Sequence, residues 1–171
     1  MGWDLVDEIF KRDNDPSDSI AGLSKLTSIL PSTAWGYENK WALSAFTPFL
    51  SIKSVRNFCV GSPIAIDDGY TGCVYVPKQE IFGEKLEVVQ MAGGVVDHIE
   101  VRKFLSRTPR LRSFAFNFEC KWHGCGSDWD ARAFVAAVED EVSDTLEKLS
   151  LTIVWVLDGT TGIKSMKKFR S

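Results

Sequence analysis

The chain has 171 residues, a length typical of a single domain that can bury a substantial core. Hydrophobic residues make up 44% and charged residues 25%, a composition that argues against disorder as the dominant state. The net charge of −3 argues against a nucleic-acid binder, and the longest apolar runs are too short for a membrane span. The acidic N-terminus lacks a signal-peptide pattern. We therefore expect a cytoplasmic or nuclear protein with reduced cysteines.

The first 19 residues predict an N-terminal helix followed by a linker. Residues 4–12 form one apolar helix face with Leu5, Val6, Ile9 and Phe10. Residues 13–18 are polar and contain Pro16, which ends the helix. From residue 20 onwards we expect repeats, the first of them degenerate and ended by Pro31, with a helix from about residue 41.

One spacing of apolar residues, L-x-x-L-x-L, recurs along the chain. Its copies are Val55, Phe58 and Val60; Leu86, Val89 and Met91; Leu111, Phe114 and Phe116; and Leu146, Leu149 and Leu151. Met166 and Phe169 begin a further, truncated copy. Two of the four intervals between copies fit the range of about 20–29 residues that leucine-rich repeats show. The other two contain long loops, at residues 61–83 and 120–129.

Helices are predicted between the copies. Residues 96–106 bury Val101, Phe104 and Leu105, after a turn at Gly93 and Gly94. The next helix is capped by Asp130 or a neighbour and buries Phe134, Ala137, Val138 and Val142. This α/β alternation predicts an irregular leucine-rich-repeat solenoid over residues 20–171, with short parallel strands and two long loop insertions. A doubly wound α/β sheet is the main alternative, but it would require longer apolar strands and a glycine-rich phosphate turn.

Four segments carry a resemblance to a known group of proteins: Thr108-Pro-Arg-Leu-Arg-Ser-Phe, Lys121-Trp-His-Gly-Cys-Gly-Ser-Asp-Trp-Asp-Ala, Ala133-Phe-Val-Ala-Ala-Val and Asp144-Thr-Leu-Glu-Lys-Leu-Ser-Leu-Thr-Ile. They resemble the repeat region of filamentous-fungal F-box and leucine-rich-repeat-like proteins. Ala45-Phe-Thr-Pro-Phe-Leu-Ser-Ile-Lys-Ser-Val-Arg is similar to an upstream repeat of that group.

The resemblance implies an adaptor, in which an F-box recruits the core of a ubiquitin ligase and the repeats hold a target. The first 20 residues show no Leu-Pro-x-Glu-type start of an F-box. Ligase recruitment is therefore expected only if an F-box lies outside this chain. The last repeat also lacks the polar cap that solenoids use, so we expect a fragment, a shortened paralogue or a chain that covers this end by self-association.

The residues between the apolar positions of each copy provide a candidate binding surface. They point away from the core and align across neighbouring strands, as Asn57, Cys59, Val88, Gln90, Ser113, Ala115, Lys148 and Ser150. A row with so little charge suits a protein partner. In the second loop, Trp122 and Trp129 are of the residue type that most often anchors interfaces. The prediction is a non-enzymatic protein-interaction module without a cofactor.

The alternative interpretation is that the second loop binds a metal ion. Cys120, His123 and Cys125 form C-x-x-H-x-C, whose side chains are zinc ligands. A zinc-binding domain or a metal-dependent hydrolase would need a fourth ligand, for which Asp128, Asp130 or His98 could serve. The spacing matches no standard zinc module, so an aromatic loop folded over the domain, with no metal, is the favoured interpretation.

Overall fold

The computed structural model describes residues 25–31, 41–50, 52–61, 63–65, 83–120, 129–157 and 160–169. In chain order its elements are β1 (Ser28–Ile29), β2 (Trp41–Ala42), a 3-10 turn (Leu43–Phe46), α1 (Thr47–Leu50), β3 (Asn57–Gly61), β4 (Pro63–Ala65), β5 (Val88–Val96), α2 (His98–Leu105), β6 (Ser113–Cys120), α3 (Ala131–Val142), β7 (Lys148–Leu157) and β8 (Thr160–Phe169). The predicted helix at residues 4–12 lies outside the described residues.

A parallel sheet is the centre of the fold. Strands β1, β3, β5, β6 and β7 lie side by side in that order and run parallel, and helices alternate with them along the chain. The short strands β2 and β4 pair with each other, and β4 also joins β5. The prediction of an α/β fold with parallel strands is confirmed at this level.

The repeated apolar spacing corresponds to a structural register. Phe58, Val89, Phe114 and Leu149 pair across four neighbouring strands, and so do Val60, Met91, Phe116 and Leu151. All but Leu149 are at most 5% exposed. Because alternate residues of a strand point to opposite faces, these two rows form the inner face of the sheet, which packs against the helices. The spacing therefore marks the core, as expected.

Strands β5 and β6 are entered through similar turns. The N–H of Leu86 donates to the carbonyl of Gly83, and that of Leu111 donates to the carbonyl of Thr108, at 2.9 and 3.1 Å. Gly83 is buried against Leu86 and Thr108, where a Cβ would lie only 2.7 Å from Leu86 Cδ1. Thr108 is fully buried and satisfies its hydroxyl by donating to the carbonyl of Leu105. Glycine and threonine are thus fixed here by packing.

Helix α3 begins and packs as its sequence predicts. Asp130 is its N-cap, and its carboxylate accepts hydrogen bonds from the N–H groups of Arg132 and Ala133. Those two bonds, led by the one from Ala133, lower the pKa of the Asp130 carboxyl. The buried residues of the helix are the four predicted ones, Phe134, Ala137, Val138 and Val142.

An aromatic cluster joins α3 to β6. The ring of Phe134 lies 4.6 Å from that of Phe116 between centroids, and the ring of Trp129 lies 4.3 Å from that of Phe118. Phe114 also stacks on Phe134, with 6.4 Å between the ring centroids. Such pairs add to the free energy gained by burial. The cluster explains why this copy of the spacing uses phenylalanine where its neighbours use smaller residues.

The expectation of a turn at Gly93 and Gly94 is wrong. Gly93 and Gly94 do not end the second strand, since β5 continues to Val96 through a register shift between Met91 and Gly94. Gly93 has φ of 66°, which glycine adopts without strain, so the pair forms a bulge. The bulge lets β5 go on to pair with β4 at Val95 and Val96.

The strand that contains Met166 and Phe169 does not extend the parallel order, so it is not the further repeat we expected. Strand β8 pairs antiparallel with β7, and Met166 lies opposite Leu151. Only Asp158 and Gly159 separate the two strands. Two residues are enough for a hairpin, whereas a parallel crossover takes a dozen or more. The helix predicted from about residue 41 also begins later than expected. Trp41 and Ala42 form β2, and the helical segment starts with the 3-10 turn at Leu43.

Candidate functional site

The residues between the buried apolar positions form two rows on the outer face of the sheet. Each row pairs in register across β3, β5, β6 and β7: the first is Asn57, Val88, Ser113 and Lys148, and the second is Cys59, Gln90, Ala115 and Ser150. The structure thus brings together eight of the ten residues that the sequence assigns to a binding surface. We call these eight residues the strand face.

The strand face is open to solvent and rich in hydrogen-bonding groups. Gln90 and Lys148 are exposed, and the other six residues are half-buried. Asn57 donates from Nδ2 to the hydroxyl of Ser28 at 3.0 Å, which extends the first row onto β1. The thiol of Cys59 lies 3.9 Å from Oε1 of Gln90. Lys148 is its only ionisable group besides the Cys59 thiol.

Small side chains occupy the middle of the strand face. Ser113, Ala115 and Ser150 lie on adjacent strands, whose backbones are separated by about 4.8 Å. Short side chains on neighbouring strands leave room for another polypeptide to approach the sheet closely. Longer side chains, Gln90 and Lys148, stand on the strands to either side of β6.

A third row, which the sequence analysis missed, continues the face. Asn117 on β6 pairs with Thr152 on β7, one step beyond Ala115 and Ser150. The missing signal is the length of the strands, since the repeated spacing ends at Phe116 while β6 continues to Cys120. Oδ1 of Asn117 is buried and accepts no hydrogen bond from the part of the chain that the structure describes. An unpaired buried acceptor of this kind costs stability.

A column of alternating charges borders the strand face where the strands begin. Arg56, Glu87, Arg112 and Glu147 occupy equivalent positions, because the N–H groups that start each strand donate to the carbonyl of the preceding member. Nε of Arg56 lies 3.8 Å from Oε1 of Glu87, and Nη1 of Arg112 lies 3.6 Å from Oε1 of Glu147. The column therefore adds no net charge to this edge.

Trp129, which is predicted to anchor a partner, also packs against the core. Trp129 is half-buried, stacks on Phe118 and Phe116, and donates from Nε1 to the carbonyl oxygen of Val96 at 2.8 Å. Both its ring and its polar group are therefore occupied within the domain. Its assignment to the binding surface stays a prediction. Trp122 lies outside the described residues.

The structure does not test the alternative of a metal site in the second loop. Cys120 is the last residue of β6, and His123 and Cys125 lie outside the described residues. Across the residues that the structure does describe, no three side chains of His, Cys, Asp or Glu are grouped so that they could hold an ion. Among the same residues, no helix is long and apolar enough to cross a membrane.

Comparison with known proteins provides no relative from which the role of the strand face could be inferred. Neither the protein-family models, nor the curated proteins, nor the solved structures yield a match to the chain. The strand face must therefore be interpreted from its own residues.

Proposed function

We propose that the chain is a non-enzymatic protein-interaction module of leucine-rich-repeat type, which binds another polypeptide across the strand face. The observation that carries the proposal is the pairing of the eight residues in two registered rows on the face opposite the helices. A doubly wound sheet would cover both of its faces with helices. The half-exposed outer rows therefore favour the one-sided, solenoid-like arrangement.

The chemistry of the strand face supports a polypeptide as the ligand. Asn57, Gln90, Ser113 and Ser150 offer hydrogen-bond donors and acceptors, the inventory that peptide groups and polar side chains require. An anionic polymer would call for a cluster of cationic groups, and the two rows contain only Lys148. Val88 and Ala115 add apolar contact between the polar groups.

Within this proposal the chain acts as an adaptor that holds a target, as the resemblance to F-box and leucine-rich-repeat-like proteins implies. Recruitment of a ubiquitin ligase would then depend on an F-box outside this chain. The strand face does not depend on that second activity, so target binding can be measured by itself.

A pair of matched substitutions tests the strand face. Ala115→Arg places a long cation in the middle of the face, and Ala136→Arg makes the same change on the exposed surface of α3. Circular dichroism first checks that the parent domain and both variants are equally folded. Each immobilised protein is then used to recover partners, which are quantified by mass spectrometry. We expect Ala115→Arg to lose the partners that the parent and Ala136→Arg retain. Equal recovery by all three would refute the assignment.

A further inference from the structure

Strand β8 continues both rows of the strand face by one residue. It pairs antiparallel with β7, so that Phe169 lies opposite Lys148 and Lys167 lies opposite Ser150. Residues directly opposite each other in such a pair lie on the same face of the sheet. The register therefore places Phe169 at the end of the first row and Lys167 at the end of the second.

The positive charge of the sheet is concentrated at this end. Strands β7 and β8 contain four lysines and no acidic residue, whereas β3 and β5 contain no charged residue and β6 contains only Glu119. By register, Lys148 and Lys167 belong to the rows of the strand face, while Lys164 and Lys168 occupy the alternate positions. A cationic end thus exists in a chain whose net charge is −3.

Lys148 has no acidic partner within the described part of the chain. It is exposed, and the acid beside it along the chain, Glu147, lies 3.6 Å from Arg112. Lys148 and Lys167 are diagonal neighbours across the pair of strands, which separates such residues by about 7–8 Å. An anion that lies between two cations at this separation is attracted by both.

The one acid on these strands is too distant to neutralise the two lysines. Glu119 pairs in register with Val154, which lies four residues beyond Ser150 on β7. That offset places it about 13 Å along the strands from the row that contains Lys167. Exposed charges farther apart than about 8 Å are largely screened at physiological ionic strength.

The length of the rows fits a short extended peptide. From β3 to β8 a row crosses four strand spacings, or about 19 Å, which about six extended residues span. Asn57 and Cys59 provide a polar, uncharged end on β3, and Lys148 and Lys167 provide a cationic end on β7 and β8. A peptide that crosses the sheet along a row therefore meets two ends of different charge.

We propose that the strand face binds an extended peptide segment with an aspartate or glutamate at the end that lies over Lys148 and Lys167. This inference rests on the proposed function, since it names the ligand class of the same surface. Two cations suit one or two carboxylates. A polyanion such as nucleic acid would require cations along the whole path, and β3 and β5 contain none.

Selection from a random hexapeptide library on the immobilised intact chain tests the proposal. Peptides are counted only if Ala115→Arg loses them, because that change blocks the middle of the strand face. We expect aspartate or glutamate to be enriched several-fold near one end of these peptides. Counted peptides without an acidic preference would overturn the inference and leave the proposed function standing. If Ala115→Arg loses no peptide, the proposed function fails and the inference fails with it.

Charge-reversal variants locate the acidic residue. The most enriched peptide is synthesised with its acid and with lysine at that position, and fluorescence anisotropy measures each Kd. Lys148→Glu combined with Lys167→Glu should weaken the acidic peptide about tenfold or more and strengthen the lysine peptide. Lys53→Glu combined with Lys103→Glu makes the same charge change before β3 and on α2, and should leave both Kd values unchanged. Unchanged Kd values in the Lys148 and Lys167 variant would overturn the proposal.

An oligothymidylate of about 15 nucleotides tests the polyanion directly. At about 0.15 M salt we expect it to bind the chain more weakly than the acidic peptide does. Equal or tighter binding that the reversal of Lys148 and Lys167 abolishes would make these lysines a nucleic-acid contact and would overturn the proposal.

Discussion

The indole N–H of Trp129 donates to the carbonyl oxygen of Val96 across a distance of 2.8 Å. This bond ties the residue before the N-cap of α3 to the last residue of β5, while the ring stacks on Phe118. Trp129→Phe keeps most of the stacking but leaves the Val96 carbonyl without its donor. We expect it to lower the free energy of unfolding by about 1–3 kcal/mol in urea denaturation. Partner recovery should not change, because Trp129 lies outside the strand face. A variant of parental stability that loses partners would contradict this role.

Gly83 and Gly61 offer a comparison between a packed and an open glycine. A Cβ at Gly83 would lie 2.7 Å from Leu86 Cδ1 and 3.0 Å from Thr108 Cγ2, whereas a Cβ at Gly61 would have nothing within 4 Å among the described residues. Gly83→Ala must push buried side chains apart, which typically costs about 1–3 kcal/mol. Gly61→Ala should stay within about 0.5 kcal/mol of the parent. Thermal unfolding of both variants checks this, and equal stability would contradict the packing at Gly83.

The charge column predicts a coupling between Arg112 and Glu147. Arg112→Glu places an acid between Glu87 and Glu147, so that three acids follow one another in the column. Because the groups are exposed, we expect the free energy of unfolding to fall by no more than about 1 kcal/mol. Adding Glu147→Arg should recover part of that loss. A double-mutant cycle in urea measures the coupling, and added salt should reduce it. Strictly additive effects at low salt would show that the column contributes nothing.

The N-cap of α3 predicts a pH dependence of stability. Hydrogen bonds from Ala133 and Arg132 lower the pKa of Asp130 in the folded chain below its ordinary value of 3.8. The resulting stabilisation is fully present above that ordinary pKa and is lost as the pH falls through the lowered one. Asp130→Asn keeps an acceptor without the charge, so its Tm should fall less steeply than that of the parent below about pH 4. Parallel Tm curves from pH 7 to 2 would contradict the assignment.

The sequence predicts the core of the repeats better than their connections. Phe58, Val89 and Phe114 could be assigned to the inner face because apolar spacing reports directly which side of a strand is buried. The eight residues of the strand face follow from the same alternation, so their alignment was predictable as well. Whether they bind a partner stays a prediction.

The errors arose where one residue type serves two geometries. A glycine pair such as Gly93 and Gly94 suits both a turn and a bulge, and the choice depends on β4 pairing with the end of β5. The apolar spacing at Met166 cannot distinguish a parallel repeat from an antiparallel hairpin, which the short Asp158-Gly159 connection decides. The stacking of Trp129 on Phe118 could not be predicted either, because it is a tertiary contact that no sequence spacing reports.

Chemical footprinting of Cys59 tests the central claim most directly. The thiol lies at the β3 end of the second row, beside Gln90, and is half-buried, so its rate of alkylation reports cover over the strand face. The rate is measured by residue-resolved mass spectrometry with and without a partner recovered by the parent chain, and with Ala115→Arg as the control. Binding across the strand face predicts that the partner slows alkylation of Cys59 several-fold in the parent and has no effect in Ala115→Arg. An unchanged rate in the parent at saturating partner would contradict the account.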